Sequence, residues 1–553
     1  MARMTRRELL GLLSVSAAAA LATGCQAGAA PPAGPGATPA TATPPPTLPP
    51  PTPTVAPTLA PVLPGIRIGI DLDPDTLDPA GQTTATVQSI VDYMVETLVR
   101  LEPNGTLAPG LATAWDRSAD GRSYTFSLRP DVRFQDGAPL TASAVKLALE
   151  RFLNPQLKVP LRAPFDGDLI DGMTLLDTLM LRIDLKRSSR LFVHKLANTE
   201  LGIVSPAHAR GYPDRYNEEP VGTGPYRFKE RRKGESVVLE RFENYWGKPP
   251  HYPQVQFRIV PEGATRESLL LANQVEAIIQ PPLADLPSLE RSPNLRVVRA
   301  PTSRTTFVGM DLRLPGGTPL SIKKVRQALN YAVDRDAIIR NVLFGTATPM
   351  EAPTAPAVLG YVRTGPYGYD PGRAKQLLLE GGTPRLALRF IHPTGRSMQD
   401  ALAAQVAQAI AGNLHEVGVD TDLIGYDWAS YLAAISVPED RGTAHMHLFG
   451  WAPPLLDVSQ QMTQFTRSQW PPLGLATTHY TNPRVEELLD QAARERNDQR
   501  RLDLYADAQR IVWDDAPWLF LWVPSVPIVH SARLKNIDGL PTEKLAAVYA
   551  EPV

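Results

Sequence analysis

Two groups of side chains in this sequence offer chemistry beyond packing, and the first is the thiol of Cys25, the single cysteine of 553 residues. One thiol excludes an internal disulfide framework and any multi-cysteine zinc site. Its setting points to acylation instead. Ala22-Thr23-Gly24-Cys25 resembles a bacterial lipobox, with Ala22 where a Leu is usual, and cleavage there would leave the thiol to carry a diacylglycerol. The second group is His445-Met446-His447, which would set two imidazoles on one face of a strand, a feasible chelate pair. With no further ligand in view, no metal site and no cofactor are expected. Gly-x-Ser-x-Gly, His-Glu-x-x-His and a phosphate loop are all absent from the sequence, so no catalytic residue can be named. Convergent carboxylates leave no local signature, so a surface-tethered hydrolase stays open as an alternative.

The elements around Cys25 agree with acylation. Arg3, Arg6 and Arg7 precede an apolar stretch from Leu9 to Leu21, which makes residues 1–24 an export signal too short to span a bilayer. Thr5-Arg6-Arg7-Glu8-Leu9-Leu10 resembles a twin-arginine motif, and both export routes stay open. Residues 26–64 hold no charged side chain and are dominated by Pro, Ala, Thr and Gly, the composition of an extended, semi-rigid tether. Fully extended, it would reach on the order of 100 Å. A lipidated, monomeric protein on the outer face of the cytoplasmic membrane is expected.

The remainder is long enough for two or more lobes, at 43% hydrophobic and 20% charged residues. A formal net charge of -1 gives no electrostatic motive for binding nucleic acid. Gly65–Ile70 alternates as a strand, and Val87, Ile90, Val91, Met94 and Leu98 recur at helical spacing over 86–99. Tyr124, Phe126 and Leu128, then Val132 and Phe134, predict a hairpin or meander closed by Asp136-Gly137, with Thr141 capping a helix from Ala142 to Phe152. Helices are predicted over 325–333 and 336–343, with Gly345 as a stop, and over 372–379 behind Asp370-Pro371. A strand over 385–391, a helix over 397–417 and a strand over 419–424 form an α/β unit. Helices over 483–495 and 498–513 precede a buried strand, Trp518 to Val523.

Several stretches together resemble the family 5 extracellular solute-binding proteins, the dipeptide, oligopeptide and nickel binders of ABC importers. They are Thr76-Leu77-Asp78-Pro79, Glu96-Thr97-Leu98-Val99, Leu107 to Trp115, Val132 to Gly137, Gly222-Thr223-Gly224-Pro225-Tyr226, Asn244-Tyr245-Trp246-Gly247, and Val325 to Leu329 with Asp334-Arg335. Their number, order and spacing over residues 70 to 525 carry the likeness. It implies an α/β fold, a two-lobed periplasmic-binding-protein-like clamp of type II with an extra subdomain inserted in lobe one. Lobe one would take 65–101, 219–311 and 519–553, the insertion 102–218, and lobe two 312–518. The implied partners are a small solute, most readily a peptide, and the permease and ATPase subunits of an importer; an oligosaccharide, a nickel complex or a sensor role are the alternatives.

The resemblance also supplies the candidate binding residues. Two regions line the cleft in peptide-binding relatives: the loop Thr83-Thr84-Ala85 before the first helix, and Trp451-Ala452 after Gly450. In those relatives the backbone after the Trp pairs with the peptide as an added strand, and a nearby Asp holds its ammonium. Here that position is Pro454, which has no charge and no amide hydrogen. Asp457, three residues on, has two readings: a replacement counter-ion, or a capping carboxylate.

Overall fold

The computed structural model describes residues 65–81, 84–154, 169–211, 217–394, 402–453 and 455–553. Residues 1–64, where an export signal, the acylated Cys25 and a tether are expected, lie outside the described residues, as do Thr83 and Pro454. Among the described residues no helix is long and apolar enough to cross a membrane.

Strand β1 (Gly65–Ile70) buries Ile66, Ile68 and Ile70, as its alternation requires. Thr84, in extended backbone, accepts a hydrogen bond from the Val87 amide and caps α1 (Ala85–Val91). The helical spacing that reached to residue 99 is overridden after Val91. A longer helix would need the carbonyls of Tyr93 and Met94 for its own amides; Tyr226 N and Gly224 N take them instead, at 3.0 and 2.9 Å.

Strands β2 (Ala112–Arg117), β3 (Ser123–Leu128), β4 (Ile170–Asp177) and β5 (Met180–Leu185) form a separate sheet in the order β2-β3-β5-β4. Tyr124, Phe126 and Leu128 are buried on one face, but Val132–Phe134 is not their hairpin partner. Strand β3 pairs with β2 and β5. Pro130, with no amide to donate, leaves the ladder there. The chain then closes a loop on itself through Leu140 N to Val132 O and Phe134 N to Ala138 O. Gly137, at φ 87°, makes the turn, and Thr141 caps α2 (Ala142–Leu153) by accepting from Ala144 N.

The main sheet has two halves. The first holds β6 (Tyr226–Arg232), β7 (Ser236–Arg241), β8 (Gln254–Ile259), β1, β9 (Ala277–Ile279) and β10 (Leu295–Pro301). The second holds β11 (Thr305–Met310), β12 (Ala347–Pro349), β13 (Leu386–Thr394), β14 (Val419–Asp427) and β15 (Met446–Trp451). Both hang on one long strand, β16 (Trp518–Ser531). Its Trp518–Trp522 segment pairs with β11, and Ser525–Ser531 pairs with β10. The buried strand expected to end at Val523 therefore runs on to Ser531, because a second set of partners waits beyond Pro524.

Each half has its own core. Ile68, Tyr93, Phe126 and Phe257 belong to the first, which is continuous with the separate four-stranded sheet. Helices α3 (Lys323–Ala332), α4 (Arg335–Asn341), α5 (Pro371–Glu380) and α6 (Ala403–Glu416) cover the second half, where Val325, Leu329, Phe390 and Leu414 are buried together. Asp370 caps α5 by accepting from Arg373 N, and β13, α6 and β14 form the expected parallel unit. On the other face, α7 (Val458–Met462), α8 (Pro483–Arg494) and α9 (Asp498–Asp515) pack on Phe307, Trp518 and Phe520. Phe307 and Trp518 stack with ring centroids 3.5 Å apart.

Candidate binding site

The stretches that carried the family likeness fold into architecture. The Glu96 carboxylate accepts hydrogen bonds from Tyr245 OH at 2.9 Å, Trp246 Nε1 at 2.8 Å and Thr223 Oγ1 at 2.9 Å, so two other stretches meet on this part-buried acid. Burial raises its pKa above the usual carboxylate value, and the three donors pull the other way. Gln135 ties the same loop: its Nε2 donates to the carbonyls of Met94, Gly224 and Tyr226, and its Oε1 accepts from Gly222 N. A Cβ on Gly224 would lie 2.6 Å from Tyr93 O, so only glycine admits this approach. In the second half, Arg335 is enclosed and donates to the carbonyls of Asn330, Val333, Tyr367 and Phe520.

The strand directions then decide where a ligand would sit. Strand β9 runs from Ala277, opposite His530, to Ile279, opposite Ile528, and so points towards Pro524; β1 is parallel to it. Strand β15 runs from Met446, opposite Met310, to Trp451, opposite Thr305, and the neighbouring Thr306 lies opposite Trp522. It points towards Pro524 from the other side. Carboxyl ends of strands from both halves thus converge on one boundary, the usual location of ligands in α/β sheets. Thr84 and Ala85 follow β1 on one side, and Trp451 and Ala452 end β15 on the other.

Each candidate has a defined environment. Thr84 Oγ1 caps α1, which leaves its hydroxyl hydrogen to donate. Ala85 is half-buried in the first turn. Trp451 is half-buried against the second core; its carbonyl accepts from Thr305 Oγ1 at 3.3 Å, and its enclosed Nε1 has no partner among the described residues. Ala452 is half-buried beside it.

Asp457 is buried, with its side chain 1% exposed, and its Oδ1 meets Arg501 Nη2 at 2.5 Å and Ser459 N at 2.9 Å. Its charge is matched inside the protein and its geometry is that of the cap of α7. His445 and His447 are likewise occupied: His445 Nδ1 accepts from Arg389 N at 3.0 Å, and His447 Nε2 lies 2.7 Å from Thr477 Oγ1. Burial pushes His447 down to about 4, so it is neutral at pH 7. Among the described residues no group of three or more His, Cys, Asp or Glu is placed to hold a metal ion.

Contacts that the sequence did not foretell bridge the boundary. Gly105, in the turn between Leu101 and Leu107, lies so near the second half that a Cβ there would be 2.9 Å from Leu456 O. Arg190 meets Asp498 Oδ1 at 2.6 Å and donates to Arg496 O at 2.7 Å. Burial lowers the His194 pKa, with Asp457 across the boundary opposing and Arg501 adding to the shift. The partners lie hundreds of residues apart, so no local pattern marks them.

The model of the bacterial extracellular solute-binding proteins, family 5, matches residues 106–471. The chain belongs to the family 5 bacterial extracellular solute-binding proteins. A glutathione-binding protein, GsiB of Pectobacterium atrosepticum, is 31% identical over 470 residues, spanning 84% of this chain and 90% of that protein. Among solved structures, HbpA2 from Haemophilus parasuis superposes with a TM-score of 0.80 at 23% identity, over 88% of this chain and 100% of the other. The periplasmic binding protein DppA of Helicobacter pylori, in complex with the peptide STSA, gives 0.68 at 24% identity, over 87% and 98%. The family 5 membership and these neighbours agree with the two halves described above: the fold is the α/β, two-lobed clamp of periplasmic binding proteins.

Proposed function

We propose that this protein captures a peptide at the boundary between its two lobes and hands it, chemically unchanged, to the permease and ATPase subunits of an ABC importer. The reading rests on one observation above the rest: in a family 5 chain, the carboxyl ends of β9 and β15 point towards Pro524 of the shared strand β16 from its two sides. The peptide preference is supported by the relative named for glutathione, itself a tripeptide. Lobe one would comprise 65–101, 219–311 and 519–553, with 102–218 inserted and 312–518 as lobe two, and Cys25 would carry the lipid that tethers a monomer outside the membrane. Thr83, Thr84 and Ala85 would bond the ligand from one lobe and Trp451 and Ala452 from the other. Pro454 offers no carboxylate and Asp457 is matched by Arg501, so main-chain and hydroxyl contacts would carry recognition.

Mass spectrometry of whatever copurifies with the protein, followed by thermal shift against a peptide mixture, tests this. A ligand held only by the folded state raises the melting temperature, by about 2.7 kcal/mol of stability at a hundredfold excess over Kd. Peptides are expected to be recovered intact. Cleaved peptides, or a shift with sugars or nickel complexes but no peptide, would refute the reading.

A further inference from the structure

The protein holds a cavity of about 390 Å³ built mainly by its second half. The cavity lies between the start of α4, strand β12, the loop 350–369 and Val523 of β16. Strands β12 and β11 lie on opposite edges of β16, since Pro349 and Thr306 both face Trp522. Trp451 is one strand beyond β11. At about 4.8 Å per strand, β12 is on the order of 14 Å from that residue.

The chemistry of the lining is one-sided. Tyr361, Tyr367 and Tyr369 line it together with Asp336 and Glu351. The one guanidinium in the lining, Arg335, spends its donors on protein oxygens: Nη1 on the carbonyls of Asn330, Val333 and Tyr367 at 3.0, 3.2 and 3.1 Å, Nη2 on Asn330 Oδ1 at 3.0 Å, and Nε on the Phe520 carbonyl. Glu351 gives Oε1 to the exposed Arg363 at 2.6 Å. Asp336, exposed on the first turn of α4, has no hydrogen-bond or ion-pair partner among the described residues. Carboxylate oxygens and aromatic faces attract the same group, a cation that carries N–H donors or methyl groups on a compact head. The volume suits a small molecule.

We propose that this cavity is a second binding site, for a small organic cation of the alkylguanidinium or alkylammonium class, with Asp336 as counter-ion and Tyr361 as ring platform.

Methylguanidinium and its uncharged isostere N-methylurea, matched in shape, test the proposal by ligand-observed NMR titration of the full chain. Methylguanidinium is expected to saturate and N-methylurea to bind about tenfold more weakly or not at all; Asp336→Asn should weaken the cation about five- to tenfold, and Tyr361→Leu by a similar factor. A peptide that raises the melting temperature should leave methylguanidinium bound. Equal binding of the two probes, no saturation, displacement by the peptide, or an Asp336→Asn protein that melts like the parent and binds methylguanidinium unchanged would each overturn it. Asp336 is exposed, so its variant folds even if Tyr361→Leu does not.

Discussion

Replacing Asp457 by Asn separates the two roles its position allows. The carboxylate is matched by Arg501 at 2.5 Å, with side-chain exposures of 1% and 7%, and it also accepts from Ser459 N and Oγ. Asn keeps the size and one acceptor oxygen for the cap, but it leaves the Arg501 charge buried without a counter-ion. Breaking a buried pair from one side costs about 3–5 kcal/mol. For a lobe of about 200 residues, 1 kcal/mol shifts the melting temperature by about 2–4 °C, so Asp457→Asn is expected to melt at least about 6 °C lower. Arg501→Met should do the same, and the double variant should recover part of the loss, because no charge is then left unmatched. Affinities for a free-amine peptide and its N-acetyl derivative, measured by calorimetry below the melting range, should fall together or not at all. The opposite pattern would refute the reasoning: an unchanged melting temperature with about a hundredfold loss confined to the free-amine peptide, some 2.7 kcal/mol, would make Asp457 the ammonium's partner.

Glu96→Leu, which strands three hydrogen-bond donors, should destabilise the first lobe by about 3 kcal/mol or more, whereas Glu96→Gln should cost far less, as denaturant titration will show. Gly224→Ala forces a Cβ to 2.6 Å from Tyr93 O and should lower the melting temperature or abolish soluble expression. Burial raises Glu200 to about 7, so between pH 4.5 and 7 the folded state binds more protons than the unfolded chain; stability should fall as pH rises through that window, and Glu200→Gln should flatten the slope of melting temperature against pH. Nickel(II) alone should leave the melting temperature where it was, since both imidazoles of 445–447 already have protein partners.

Much of the chain could be read locally. The alternation of Ile66, Ile68 and Ile70, the caps at Thr84, Thr141 and Asp370, and the strand, helix and strand around α6 are settled by neighbours within a few residues, where side-chain type and spacing act directly. The spaced family stretches were likewise legible, and with them the fold class. Tertiary structure decided what those residues do. Glu96 meets Trp246 across 150 positions and Asp457 meets Arg501 across 44, and the end of α1 is set by amides at 224 and 226. A buried charge or an open backbone carbonyl takes whatever partner the folded chain brings within 3 Å, and a hydrogen bond carries no mark of that partner in the sequence beside it.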